Sequence, residues 1–181
     1  MGKELEVKLL DIDVNEVQNK LKELNATLVK KELQVNTLID SYENPIKKIT
    51  DGYLRVRESK DLVHNTNTTT MTFKKNVKNK NIRENIEYNV NIDDRDTMVE
   101  ILKFLGYDNV KIGYKERTSY CLNDANIEID IWDKETYPNP YIEIEVEDQE
   151  KLYEVIEQLG ISKENISTKS ILELRKELNL E

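Results

Sequence analysis

Glu4-Leu5-Glu6-Val7-Lys8 alternates charged and aliphatic residues without a break. Successive side chains of a strand point to opposite faces, so Glu4, Glu6 and Lys8 share one side while Leu5, Val7 and Leu9 share the other. A single segment of this kind describes a solvated surface strand. Here the pattern returns along the chain: in Leu54-Arg55-Val56-Arg57, Thr70-Met71-Thr72-Phe73-Lys74, Ile82-Arg83-Glu84-Asn85-Ile86-Glu87-Tyr88, Ile127-Glu128-Ile129-Asp130-Ile131 and Ile142-Glu143-Ile144-Glu145-Val146-Glu147, with Lys115 and Arg117 two apart in 110–121. These faces collect seven bases (Lys8, Arg55, Arg57, Lys74, Arg83, Lys115, Arg117) and eight acids (Glu4, Glu6, Glu87, Glu128, Asp130, Glu143, Glu145, Glu147). Acids gather on the first and last strands and bases on the middle ones.

So many charged strand faces need an enclosure that keeps them paired, metal-bound or wet. An α+β fold meets this demand: a closed eight-stranded antiparallel β-barrel with the charged faces turned inward and helices packed outside. Closure removes sheet edges and brings the first and last strands together. The lumen then has an acidic wall and a basic wall, which suits a divalent metal with a polyanion beside it. Hydrophobic content of 38% against 35% charged is low for a globular chain, as this arrangement requires.

The helices are legible by period. Asp13 with Glu16 opens one in capping-box fashion, and Val14, Val17, Leu21, Leu24 and Leu28 form its apolar stripe. Asp93 or Asp94 caps a second through Leu105, with Met98, Ile101, Leu102 and Leu105 inward and Gly106 as stop. Asp148 caps a third with Leu152, Val155, Ile156 and Leu159, ended by Gly160; Ser167 starts a last one carrying Ile171, Leu174 and Leu178. A strand runs over 33–42. The Thr/Asn-rich stretch 59–69 is expected to be a mobile hairpin loop holding the solvated His64, and 75–81 a second turn. Trp132 is assigned to packing at a rim, Cys121 to a small buried site at a strand end, and Lys169 to solvent.

Glu4-x-Glu6-x-Lys8, Leu54-Arg-x-Arg57, Lys74, Arg83, Lys115-x-Arg117 and Glu143-x-Glu145 together, in this order from residue 4 to about residue 169, resemble the CYTH superfamily. These are the triphosphate tunnel metalloenzymes, which include thiamine triphosphatases and class IV adenylyl cyclases. The family's Arg-x-Glu-x-Glu reads Arg83-x-Asn85-x-Glu87 here, so the middle acid is absent. Asp40 and Tyr42 resemble a family Asp-x-Tyr. The resemblance implies metal-site carboxylates at Glu4, Glu6, Asp130, Glu143 and Glu145, and a phosphate clamp of Lys8, Arg55, Arg57, Lys74, Arg83, Lys115 and Arg117. It gives catalytic roles to Lys8, Glu87 and Asp130.

Oxygen ligands without His or Cys neighbours suit Mg²⁺ or Mn²⁺ rather than zinc. No Ser-His or Cys-His arrangement can be assembled, so attack by a metal-activated water on phosphorus is the economical chemistry. Three functions compete: hydrolysis of inorganic triphosphate, thiamine triphosphate or a related small triphosphate; cyclisation of ATP to cyclic AMP and pyrophosphate; and a non-catalytic polyphosphate- or nucleotide-binding module. A net charge of −9 argues against a nucleic-acid partner. No apolar run approaches the ~20 residues of a membrane helix. One domain spanning residues 1–181 is expected, in a cytoplasmic protein without signal peptide or disulfide. A homodimer stays open.

Overall fold

The charged alternation becomes one antiparallel sheet. The computed structural model describes residues 3–77, 83–146 and 148–180, with side chains for all of these except residues 3–5, 76, 77 and 83–85. Nine strands are ordered β5-β4-β3-β2-β6-β7-β8-β1-β9, and β1 pairs additionally with β5. They are β1 (Lys3–Leu9), β2 (Thr27–Asp40), β3 (Gly52–Asp61), β4 (Thr66–Val77), β5 (Arg83–Asn91), β6 (Asn109–Leu122), β7 (Ala125–Trp132), β8 (Tyr141–Val146) and the two-residue β9 (Ile166–Ser167). Each of β1 to β8 therefore has a neighbour on both sides, and β9 adds to β1 through Lys8↔Ser167 and Leu9↔Ile166. The acidic strands β7, β8 and β1 are contiguous, as their sign segregation suggests.

Helices cover the aliphatic face. Among the described residues these are α1 (Val14–Glu23), α2 (Arg95–Phe104), α3 (Gln149–Leu159) and α4 (Ile171–Glu177). Asp13, Asp94 and Asp148 cap the first three by accepting from backbone N–H groups of the first turn. Gly160, at φ +70°, supplies the left-handed end of α3 that residues with a Cβ adopt poorly. Val7 and Leu9 of β1, Ile127 and Ile129 of β7, and Ile142 and Ile144 of β8 form one buried cluster with α1 and α3. A second joins Ile39, Leu54 and Val56 to Val99 and Leu102 of α2. A third sets Leu174 of α4 against Tyr137 and Tyr141.

Several expectations are corrected. α1 stops at Glu23, and Leu28 lies in β2, which begins at Thr27, well before residue 33. Asn25 at φ +57° turns the chain there, and cross-strand pairing with β6 then recruits residues that helical spacing alone had claimed. Residues 59–69 are not a loop: β3 and β4 pair down to Asp61↔Thr66, leaving a four-residue turn at 62–65. The Thr residues that suggested a turn are good strand formers once a partner strand is present. Residues 75–77 likewise continue β4, while 78–81 of that expected turn lie outside the described residues. The last helix starts from Ser170, which makes a full capping box with Glu173, whereas Ser167 belongs to β9. On α2, Ile101 and Leu105 are exposed, and Val99 shares the buried side with Leu102. Cys121 is exposed rather than buried.

Candidate functional site

The face of the sheet opposite the helices is polar and yet buried. Glu6, Lys8, Lys115 and Asp130 are 3%, 3%, 4% and 0% exposed, with Lys74, Arg117 and Glu128 also buried. Register explains the convergence: Glu6 stands directly opposite Glu145 and Lys8 opposite Glu143 across β1–β8, Glu143 opposite Glu128 across β8–β7, and Arg117 opposite Asp130 across β7–β6.

Two ion-pair chains result. In one, Lys115 Nζ donates to Asp130 Oδ2 (2.8 Å), and Arg117 donates to both oxygens of the same carboxylate (Nε to Oδ1 2.7 Å, Nη2 to Oδ2 2.6 Å). Arg117 also contacts Glu128 and reaches Glu143 Oε2 (2.7 Å), whose other oxygen holds Lys8 Nζ (2.7 Å). In the second, Lys74 Nζ bridges Glu6 Oε2 and Glu87 Oε1, both at 2.9 Å. Lys8 Nζ lies 3.8 Å from Glu6 Oε1 and connects the two. The two signs are thus less segregated than the strand pattern implied, because each cation reaches across to an acid.

Charges this tightly packed shift one another. Burial disfavours ionised Asp130 and Glu143, but Arg117 with Lys115, and Lys8 with Arg117, overcome it and hold both carboxyls below their ordinary range. Burial pushes the Glu128 carboxyl up despite Arg117. Burial also works against the charge on Arg117 and Lys74; Asp130 and Glu128 more than offset it for Arg117, as do Tyr53, Glu6 and Glu87 for Lys74. Burial and the neighbouring Arg117, against Asp130, bring the Lys115 ammonium down to about 7.

Arg55 and Arg57 differ from the other described bases of this face in having no carboxylate partner. Arg57 Nε donates to the amide oxygen of Asn36 (2.7 Å), and Arg55 Nε is buried without a hydrogen bond. Burial, then Arg55 and Arg117, lower the Arg57 guanidinium to about 10. Two guanidinium groups thus occupy adjacent same-face positions without a carboxylate at ion-pair distance among the described residues.

One side of the charged face ends in aromatic residues. Trp132 Nε1 donates to Tyr141 Oη (2.9 Å); Lys115 Nζ stands 5.2 Å from the Trp132 ring centroid, and Lys8 Nζ 5.7 Å from that of Tyr141. A Cβ on Gly113 would lie 2.6 Å from Thr136 Oγ1 and 3.2 Å from Trp132, so glycine lets these groups close over β6. Trp132 packs at this end, as expected, and also lines the polar face. His64 bonds Asp61 Oδ2 through Nδ1 (2.7 Å) in the β3–β4 turn, and Lys169 is exposed beside Glu177.

Of the residues expected to act, Glu6, Lys8, Lys74, Glu87, Lys115, Arg117, Asp130 and Glu143 are joined by ion pairs, and Glu145 faces Glu6 and accepts from Asn126 (3.4 Å). The side chains of Glu4 and Arg83 lie outside the described residues; their backbones pair as Glu4↔Asn85 and Glu6↔Arg83. Charge alone overlooked Gln34 and Asn36, both buried on the same face of β2. The alternation Glu32-Leu33-Gln34-Val35-Asn36 carried the signal, in uncharged form. Among the described residues no three of His, Cys, Asp or Glu converge on a cation position.

Residues 2–171 match the CYTH domain family. The chain is 32% identical over 183 residues to a Methanocaldococcus jannaschii protein named "Putative adenylate cyclase MJ0240", covering 95% of this chain and 98% of that one. Among solved structures it resembles the PH1819 protein of Pyrococcus horikoshii, with 26% identity, TM-score 0.79 and coverage of 97% and 99%. It shares its fold with HpAC1 of Hippeastrum, a putative adenylyl cyclase described as having a dominant triphosphatase activity, at 15% identity, TM-score 0.66 and coverage of 98% and 96%.

Proposed function

Because the chain belongs to the CYTH family, we propose that it is a divalent-metal-dependent hydrolase of inorganic triphosphate or a related small triphosphate, bound inside a closed eight-stranded barrel. The β1–β5 pairing supports closure, as does the burial of a charged face that helix α4 meets only at its Tyr141 and Trp132 end. The observation that carries the substrate class is the unpaired Arg55/Arg57 couple in a lumen whose other described bases are neutralised. Arginine offers a planar fork of donors matched to phosphate oxygens, and a bound polyanion would offset the burial, and then the repulsion from Arg55 and Arg117, that lower Arg57.

The donor set fits Mg²⁺ or Mn²⁺: only carboxylate oxygens are on offer, and Glu6 and Glu145 occupy directly opposed positions with Glu4 two residues along β1. These three would hold the metal, together with Glu143 where Lys8 yields it. The ion supplies Lewis-acid polarisation of the phosphoryl group and a more acidic water. Asp130, with both oxygens taken, holds Lys115 and Arg117 in place. Glu87 does the same for Lys74. Arg55, Arg57 and Arg83 would clamp the phosphates, and Lys8, tied to both Glu6 and Glu143, would then lie nearest the reacting phosphorus. A water oxygen bonds to that phosphorus as the bridging P–O bond breaks and the water's proton is lost to solvent, while Lys8, with the other bases, stabilises the charge moving onto the leaving oxygen.

A class IV adenylyl cyclase is the second reading, favoured by the 32% identity to the archaeal relative carrying that name. There the ribose 3′-hydroxyl replaces water and attacks the α-phosphorus. The chain incubated with Mg²⁺ or Mn²⁺ and either inorganic triphosphate or ATP discriminates the two. Phosphate and pyrophosphate from triphosphate are expected, with none in chelator; cyclic AMP from ATP with triphosphate untouched would replace the first reading by the second. Glu6→Ala and Glu145→Ala should each lower turnover by orders of magnitude, and undiminished hydrolysis in both would refute the metal assignment.

A further inference from the structure

Resting on the reading of this face as a phosphate site, we infer that Asn36 is the positioning residue that keeps Arg57 available to an anion. The two side chains stand directly opposite each other across β2–β3, and the amide oxygen of Asn36 accepts from Arg57 Nε at 2.7 Å. Arg57 makes no other hydrogen bond or ion pair among the described residues, so its two outer NH₂ groups are left for a ligand. Asn36 is 2% exposed, and its Nδ2 is buried without a partner. Its β6 neighbour is Gly113, which has no side chain to offer that donor. An unsatisfied buried N–H₂ costs free energy in the empty protein and gains a bond if a phosphate oxygen arrives.

The identity of the residue matters because the same site shows the alternative. Arg117 is gripped through Nε and Nη2 by Asp130, a carboxylate, and is thereby neutralised. An aspartate at position 36 could grip Arg57 in the same way and satisfy the guanidinium internally. Asparagine fixes the same Nε while adding no negative charge. The neutral amide thus sets direction without spending the cation's affinity for phosphate.

The test is calorimetric titration with a triphosphate in which both bridging oxygens are replaced by methylene groups, so that neither bridge can be hydrolysed, in the presence of Mg²⁺. Asn36→Asp should bind roughly tenfold or more weakly than the wild type, through the added charge. Asn36→Ala should bind roughly three- to tenfold more weakly, through the lost hydrogen bonds. In an Arg57→Ala background Asn36→Ala should cost little further, because the amide acts through the arginine. Thermal melts of the empty proteins should show Asn36→Asp no less stable than wild type, which separates weakened binding from a damaged fold. Wild-type affinity in Asn36→Asp, or an Asn36→Ala loss of equal size with and without Arg57, would overturn the inference. A wild-type chain that fails to bind the analogue refutes the phosphate site itself.

Discussion

Asp130→Asn replaces the hub of the longer ion-pair chain with a neutral isostere. Asp130 is fully buried and holds two cations: Arg117 by two hydrogen bonds and Lys115 by its one acid contact. Removing one partner of a buried pair costs about 3–5 kcal/mol, since the other charge remains desolvated. Arg117 keeps Glu128 and Glu143, so about 3 kcal/mol is expected, and the loss falls on Arg117, which cannot shed its proton as Lys115 can. At a urea m-value of about 2 kcal/mol/M that moves the unfolding midpoint down by about 1.5 M, and the melting temperature by roughly 6–12 °C. Adding Lys115→Met should restore little of it, because Lys115, at about 7 beside Asp130, gives up its proton once that carboxylate is neutralised. A midpoint shift under about 0.5 M with unchanged m would refute the view that this carboxylate is the electrostatic keystone of the face.

Two further outcomes follow from the same contacts. Because burial and Arg117 bring Lys115 to about 7, below its unfolded value, the unfolded chain binds the extra proton between about pH 7 and 10.4. Stability should therefore rise with pH across that window in wild type more steeply than in Lys115→Met, by up to about 1.4 kcal/mol per pH unit; parallel pH profiles of urea midpoints would refute it. In steady-state assays on inorganic triphosphate, Lys8→Ala should lower kcat more than it raises KM and Arg57→Ala should chiefly raise KM, since Lys8 touches Glu6 and Glu143 whereas Arg57 meets only an amide. An effect of Lys8→Ala confined to KM contradicts that division of labour.

Alternation made the charged face legible: Glu6, Lys8, Arg117, Asp130 and Glu143 read as same-face residues, and register brings them together. Caps at Asp13 and Asp148 were equally plain, because capping is local chemistry. Strand limits were not. The early start of β2 and the long β3–β4 hairpin depend on partners distant in sequence, and Thr/Asn composition speaks only of what the segment does alone. Pairing within the face was also hidden. That Asp130 is saturated by Lys115 and Arg117 while Arg57 leans on Asn36 depends on reach across strands, which no spacing along one strand encodes. The neutral amides of β2 escaped notice because a search weighted toward charge ranks them with ordinary surface polarity.

The position of β1 ties chemistry to the last act of folding. Glu6 and Glu145 are 139 residues apart in the chain yet occupy one register position, and β1 must also meet β5 near residue 85. On a ribosome, Lys3–Leu9 emerges well before β8 and has no partner on that side until Tyr141–Val146 has been made. The segments β2 to β7 can pair among themselves meanwhile, since their order uses only hairpins and the β2–β6 crossover. Closing the loop between β1 and β8 carries a larger entropic cost than any pairing among β2 to β7. A chain stalled before that step would retain much of its sheet while Glu6 and Lys8 remain apart from Glu143 and Glu145. Turnover would then report on completed folding more sharply than strand content does.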